Sequence, residues 1–169
     1  MKKLLFIFNP QAGKGQIKTK LMQILDIMVK ESYEVTIYPT QGKEDARRLA
    51  EGRAADFDLI VCSGGDGTLD ETVGGLMRCG QRVPLGYIPA GSTNDFANSL
   101  KIPRDMIKAA QIAVSGRKFA CDVGAFNDKS FIYVAAFGIF TSVSYQTRQE
   151  WKNILGHAAY FLEGVKSLP

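Results

Sequence analysis

The stretch FDLIVCSGGDGTLDETVGGLM, residues 57–77, sets three patterns end to end. An apolar run of strand length (57–62) leads into three glycines around a single acid, after which Leu69, Val73, Leu76 and Met77 recur at helical spacing. A strand, a glycine turn and a helix make the unit from which parallel sheets are assembled, because parallel neighbours need a crossover connection. The oddity is Asp66, a carboxylate set where glycines would let a ligand approach the backbone.

The same grammar extends in both directions. KLLFIF (3–8) reads as a buried strand, and Ile17, Leu21, Ile24, Leu25, Met28 and Val29 as the apolar face of a helix. YEVTIYPT (33–40) is a second strand ending at Thr40, followed by a weaker helix marked by Ala46, Leu49 and Ala50. VPLGYI (83–88) is a fourth strand; PAGSTNDFANSL turns into a helix, and DMIKAAQIAV (105–114) supplies another. The expected fold class is α/β, an open parallel sheet with flanking helices over residues 1–118.

Near residue 118 the pattern changes. KFACDVGAF and SFIYVAAFGI flank the turn NDK and read as an antiparallel hairpin, followed by a helical stretch with a break at Gly156. Residues 119–169 are expected to be the incomplete start of a β-rich second domain, since a hairpin and one or two helices are too little for a second core.

Composition sets outer limits. The chain has 169 residues, 46% of them hydrophobic, and a formal net charge of +4, enough apolar content for one buried core. Basic residues are dispersed in pairs and triplets, so an anionic ligand or membrane surface is permitted and no nucleic-acid partner is expected. Cys62, Cys79 and Cys121 lack metal or redox spacing and are expected to be buried free thiols in a reducing cytoplasm. The five apolar residues after Lys3 are too few for a signal sequence.

In an open parallel sheet, ligands bind beyond the carboxyl ends of the strands. Gly64, Gly65 and Gly67 can adopt positive φ there, and the helix that follows aims its N–H groups and positive dipole end at the same point. Thr68 with Glu71 fits a capping box at that helix start. For Asp66 two roles stay open: a helix cap, or a partner to a cation, a hydroxyl or a lysine. Two further loops meet the same edge. NPQAGKG brings flexible backbone and the point charge of Lys14, and AGSTNDFA brings Gly91, Ser92, Thr93, Asn94 and a second acid, Asp95. A Walker loop is excluded because Gly15 follows Lys14 and Phe8 holds the first glycine position; a dinucleotide fingerprint is excluded because Asp70 holds the third.

NPQAGKG, GGDGTLDE and PLGYIPAGSTNDFA, in this order, resemble the diacylglycerol kinase catalytic domain family of lipid kinases, relatives of sphingosine kinases and more distantly of NAD kinase and 6-phosphofructokinase. The likeness continues through DVGAFNDKSFIYVAAFGIFTSVSY and the terminal helix. It implies an NAD kinase/phosphofructokinase-like N-terminal domain and an ATP- and Mg²⁺-dependent transfer of the γ-phosphoryl group to a lipid hydroxyl such as that of diacylglycerol.

The implied nucleotide contacts fall on Asn9, Pro10, Gln11, Ala12, Gly13, Thr40, Gly64, Gly65, Asp66, Gly67, Thr68, Leu69, Asp70, Glu71, Gly91, Ser92, Thr93 and Asn94. Asp66, Asp95 and Lys14 carry the implied catalytic network, with Asp66 meeting the metal through water. The family usually has Asn where this chain has Asp70, and it places a further acid, the implied base, in a second lipid-binding domain beyond residue 169. The resemblance therefore implies that this chain is a truncated fragment, mainly the ATP-binding half, and inactive or a poor catalyst alone.

Two rival functions share these motifs: an NAD kinase-like enzyme with another acceptor, and a nucleotide-binding regulatory module without turnover. His157 is the single histidine and is expected to be packed or solvated. Trp151, Tyr160 and Phe161 are expected in a core or in an interface whose exposure would favour a homodimer. The expected location is cytoplasmic, with contact at the inner membrane surface inferred from the implied substrate alone.

Overall fold

Residues 4–8 of the first strand, β1 (Lys2–Phe8), are all buried, as in a strand covered on both faces. The computed structural model describes residues 1–126 and 129–132. The chain divides into two compact units, Met1–Tyr133 and Val134–Pro169, and the described residues all belong to the first. The expected second hairpin arm beyond Ile132, the terminal helix and Trp151, His157, Tyr160 and Phe161 lie outside the described residues.

After β1 come α1 (Ile17–Lys30), β2 (Tyr33–Pro39), α2 (Asp45–Arg53), a 3₁₀ turn at Ala54–Asp56, β3 (Leu59–Gly64) and α3 (Asp66–Arg78). β4 (Leu85–Pro89), α4 (Asp95–Ser99), α5 (Met106–Ser115), β5 (Gly124–Phe126) and β6 (Lys129–Phe131) follow. The first four strands form a parallel sheet in the order β2-β1-β3-β4, as the alternation of patterns predicts. β1 feeds β2 on one side, and the chain then crosses back to β3 on the other. That reversal opens a crevice at the carboxyl ends of β1 and β3, where open sheets hold ligands.

Alternate residues of each strand serve opposite faces. Leu4, Phe6, Phe8, Leu59 and Val61 pack with Ile17, Ile24 and Met28 of α1 and with Met106, Ala109 and Ala110 of α5. Leu5, Ile7 and Ile60 pack with Ala46 and Ala50 of α2, while Cys62 and Tyr87 meet Leu69 and Val73 of α3. Val29 and Met77, expected on the buried faces, are instead 60% and 58% exposed. Each stands one residue past the last packed position, and one helical step turns a side chain by about 100°.

α2 and α3 touch backbone to backbone. A Cβ on Gly75 would collide with the Arg47 carbonyl oxygen and lie 2.7 Å from Ala50 Cβ. Beyond the sheet, β5 and β6 pair antiparallel with Gly124 opposite Phe131, and β6 packs on α3. The first arm of the hairpin is shorter than expected. Residues 118–122 carry no strand, and Lys129, expected in the turn, begins β6. The thiols also depart from expectation: Cys62 is buried, but Cys79 is only partly covered and Cys121 is exposed on the irregular segment before β5.

Candidate active site

β3 runs two residues further into the glycine motif than its apolar run predicts, and α3 begins at Asp66, so the connection between them is Gly65 alone. Gly65 is extended at φ −85° and ψ −176°, and none of Gly64, Gly65 and Gly67 has positive φ. Positive φ is therefore not what the motif uses; at Gly64 it is the missing Cβ, whereas a Cβ on Gly67 would meet nothing within 4 Å. A Cβ on Gly64 would lie 2.5 Å from the Thr68 side chain, and one on Gly91 would lie 2.5 Å from Gly65 Cα. Positive φ occurs one loop away, at Gly13 (53°), where a Cβ would strike the Ala90 carbonyl oxygen. Through these contacts the backbones of the loops after β1, β3 and β4 abut.

Backbone hydrogen bonds extend the ladder past the strand ends. Asn9 N–H donates to Ser63 O at 2.9 Å, Ala90 N–H to Gly64 O at 2.8 Å, and Thr40 N–H to Phe8 O at 2.9 Å. The buried Tyr87 hydroxyl holds the Gly64 carbonyl at 3.0 Å. Burial raises this phenol's pKa well above the ordinary range, helped by nearby Cys62 and Asp66, so it remains a neutral donor. Tyr87 was not among the expected site residues; a tyrosine in a strand reads simply as a good strand former.

The structure answers the question posed by Asp66. Its carboxylate does not cap its own helix. Oδ2 accepts from Asp95 N–H at 3.0 Å and from Thr93 Oγ1 at 3.3 Å, and Oδ1 accepts from Phe96 N–H at 3.2 Å. Asp66 thus caps α4, 29 residues on, and the N-cap of α3 is Gly65, which has no side chain to cap with. First-turn N–H groups behind a glycine N-cap, at the positive end of a thirteen-residue helix, suit an anion.

The expected Thr68–Glu71 capping box does not form. α3 starts earlier than that pattern requires, the Thr68 side chain covers Gly64, and Glu71 Oε1 accepts from Glu44 N–H at 3.0 Å, at the start of α2. Burial raises the Glu71 pKa, opposed by the Glu44 N–H. Asn94 sits at φ 54°, where its Oδ1 accepts from Gly91 N–H at 2.8 Å and its Nδ2 donates to Gly91 O at 2.7 Å. Its side chain therefore shapes the Ala90–Thr93 turn. Asn9 Oδ1 likewise accepts from Gln11 N–H at 2.9 Å and shapes the loop after β1.

Of the remaining expected residues, Leu69 has its side chain in the core with Cys62 and Tyr87, leaving only its backbone toward the crevice. Ala12 is buried, Pro10 is partly covered, and Gln11, Lys14, Gly67 and Ser92 are exposed. Thr40 and Asp95 are half-buried at the same strand edge, and Asp70 is half-buried on the second turn of α3.

Residues 3–126 match the model of the diacylglycerol kinase catalytic domain. The chain belongs to that family. It is 40% identical over 171 residues to a diacylglycerol kinase of Bacillus subtilis (strain 168), covering 100% of this chain and 56% of that protein. To a diacylglycerol kinase of Staphylococcus aureus (strain MRSA252) it is 38% identical over 169 residues, covering 99% of this chain and 54% of the relative. Among solved structures, a diacylglycerol kinase from Bacillus anthracis str. Sterne matches with a TM-score of 0.71 and 33% identity, over 77% of this chain and 45% of that one. This member of the diacylglycerol kinase catalytic domain family spans about half the length of the curated relatives it matches.

Proposed function

We propose that the loop cluster binds ATP, and that the protein carrying it is a lipid kinase that transfers the γ-phosphoryl group to the hydroxyl of diacylglycerol or a related lipid. One observation carries the proposal. α3 starts behind a glycine N-cap with Asp66 turned to α4, and Gly13, Gly65 and Gly91 present the surrounding backbone without side chains. Phosphoryl transfer relies on positioning and charge neutralisation, and backbone donors around a glycine turn supply both. Lys14, exposed on the loop after β1, adds a mobile point charge for a phosphate oxygen.

The residues also fit Mg²⁺. A carboxylate has about four acceptor positions, and Asp66 spends three on Asp95 N–H, Phe96 N–H and Thr93 Oγ1, so one remains for a metal-bound water. Among the described residues no group of three or more His, Cys, Asp or Glu could hold a metal. That suits a cation held by one or two carboxylates, here Asp66 and Asp95, together with phosphate oxygens. Bound there, Mg²⁺ would neutralise charge on the phosphates and allow an acid to stand beside them. No described helix is long and apolar enough to cross a membrane, so a lipid acceptor would be met at a membrane surface.

Two measurements test the proposal. ATP with Mg²⁺ should raise the melting temperature of the chain and ATP without Mg²⁺ should do so less; no shift with either removes the nucleotide site. Offered ATP and a panel of diacylglycerol, a sphingoid base, undecaprenol and NAD, the full-length protein should phosphorylate a lipid. Transfer to NAD alone would make it an NAD kinase, and nucleotide binding without any transfer would make it a regulatory module.

A further inference from the structure

We propose that Glu71 is a positioning residue that locks the loop after β2 to the glycine turn, so that both walls of the crevice move as one body. This rests on the ATP-binding reading only where affinity is concerned; the lock itself stands on contacts within the fold.

β2 is an edge strand, half-exposed along its length, and its terminal loop has a sheet partner on one side only. That loop includes Thr40. Its second anchor comes from α2. Asp45 accepts from Gln41 N–H at 2.7 Å and from Gly42 N–H at 3.2 Å, and is paired with Arg48. Asp45 in turn needs the α2 N-terminus fixed. The residue before it, Glu44, is in the left-handed region at φ 66°, and its own side chain is drawn to Arg47 at 2.7 Å rather than to the helix start. The Glu44 N–H is met by Glu71.

The path is continuous. Glu71 leaves the second turn of α3, holds Glu44, and through Asp45 fixes Gln41 and Gly42 beside Thr40, which is bonded to Phe8 O next to Asn9. Asn9 N–H then returns to Ser63 O on β3, the strand that feeds the glycine turn. The contact is partly buried, so an apolar residue at 71 leaves the Glu44 N–H without its acceptor, whereas glutamine restores an acceptor without the charge.

Three variants of the 169-residue chain test this: Glu71→Ala, Glu71→Asp and Glu71→Gln. Amide hydrogen exchange without nucleotide should accelerate at Gln41, Gly42 and Glu44 in Glu71→Ala, and in Glu71→Asp, whose carboxylate is one methylene short; Glu71→Gln should keep wild-type protection. Calorimetry with ATP and Mg²⁺ should show affinity about tenfold weaker in Glu71→Ala, the loss of one hydrogen bond's net worth, and recovered in Glu71→Gln. Wild-type protection in Glu71→Ala and Glu71→Asp, or equal damage in Glu71→Gln, overturns the proposal. A wild-type chain that takes up no ATP removes the nucleotide reading alone, because the exchange comparison decides the lock by itself.

Discussion

Replacing Asp66 by alanine separates two reasons for a carboxylate at that position. If the acid served only a cation, the ligand-free chain would lose nothing, or gain stability as α3 acquires a better helix former. The structure predicts the opposite. Alanine removes the acceptor for Asp95 N–H, Phe96 N–H and Thr93 Oγ1 at once. Loss of an N-cap costs about 1 kcal/mol, range roughly 0.5–2. Removing an acid from the first turn of α3 adds roughly 0.3–1 kcal/mol through the helix dipole. The propensity gain offsets about half a kcal/mol of this. The net loss is about 1–2 kcal/mol, a melting temperature lower by roughly 2–8 °C.

Asp66→Asn keeps one acceptor oxygen and lacks the charge, and should fall about midway between wild type and Asp66→Ala. The assay is thermal and urea unfolding by circular dichroism in chelator, so that no cation contributes. A ligand-free Asp66→Ala chain as stable as wild type, or more so, would refute the cap. The cap of α4 would then be a coincidence of packing and the acid's purpose would lie wholly with a ligand.

Other outcomes are cheaper to obtain. Gly75→Ala should destabilise by about 1–2 kcal/mol, since overpacking between α2 and α3 outweighs a propensity gain of about 1 kcal/mol; Gly52→Ala, on α2 with open space around it, should be neutral to slightly stabilising, and equal melting temperatures for the two would show that close packing is not Gly75's purpose. Gly91→Ala forces a Cβ to 2.8 Å from Asn94 Oδ1 as well as against Gly65, so calorimetry should find ATP binding weakened at least tenfold, about 1.4 kcal/mol; unchanged affinity would argue against these loops as its site. In the folded chain Cys121 should react rapidly with a disulfide reagent at pH 8 while Cys62, whose thiol burial pushes up to about 12, reacts only after urea unfolding; equal rates would contradict the packing of Cys62 beneath α3.

The centre of the sheet was legible because β1 and β3 are buried on both faces and read as apolar runs bounded by turns. Loop convergence was legible for the same reason: once β1, β3 and β4 are parallel neighbours, residues 9–15, 64–67 and 90–95 must share an edge. The partners of the acids were not. A capping pattern is local, and Thr68 with Glu71 satisfied its letters, yet Asp66 and Glu71 find their donors 29 and 27 residues away. No window along the chain contains such a pair. Nor does composition distinguish glycines needed for positive φ from those needed for a missing Cβ; Gly13 is the first kind as well as the second, and Gly64 and Gly91 are the second only.

The two acids share one logic. α3 sends Asp66 from its first turn to the start of α4 and Glu71 from its second turn to the start of α2, so the helix behind the glycine turn governs the helices on both sides. Neither of these two carboxylates turns back on the start of α3, whose own N-cap is Gly65. A glycine start lets an anion approach the backbone closely, and the N–H groups there are oriented by thirteen residues of helix. The same arrangement limits the site. Asp66 stays beside the anion, so triphosphate bound there meets a fixed negative charge, and the affinity should depend on a divalent cation far more steeply than in a glycine loop without an acid. Nucleotide affinity indifferent to Mg²⁺ would therefore contradict the geometry of Asp66 itself.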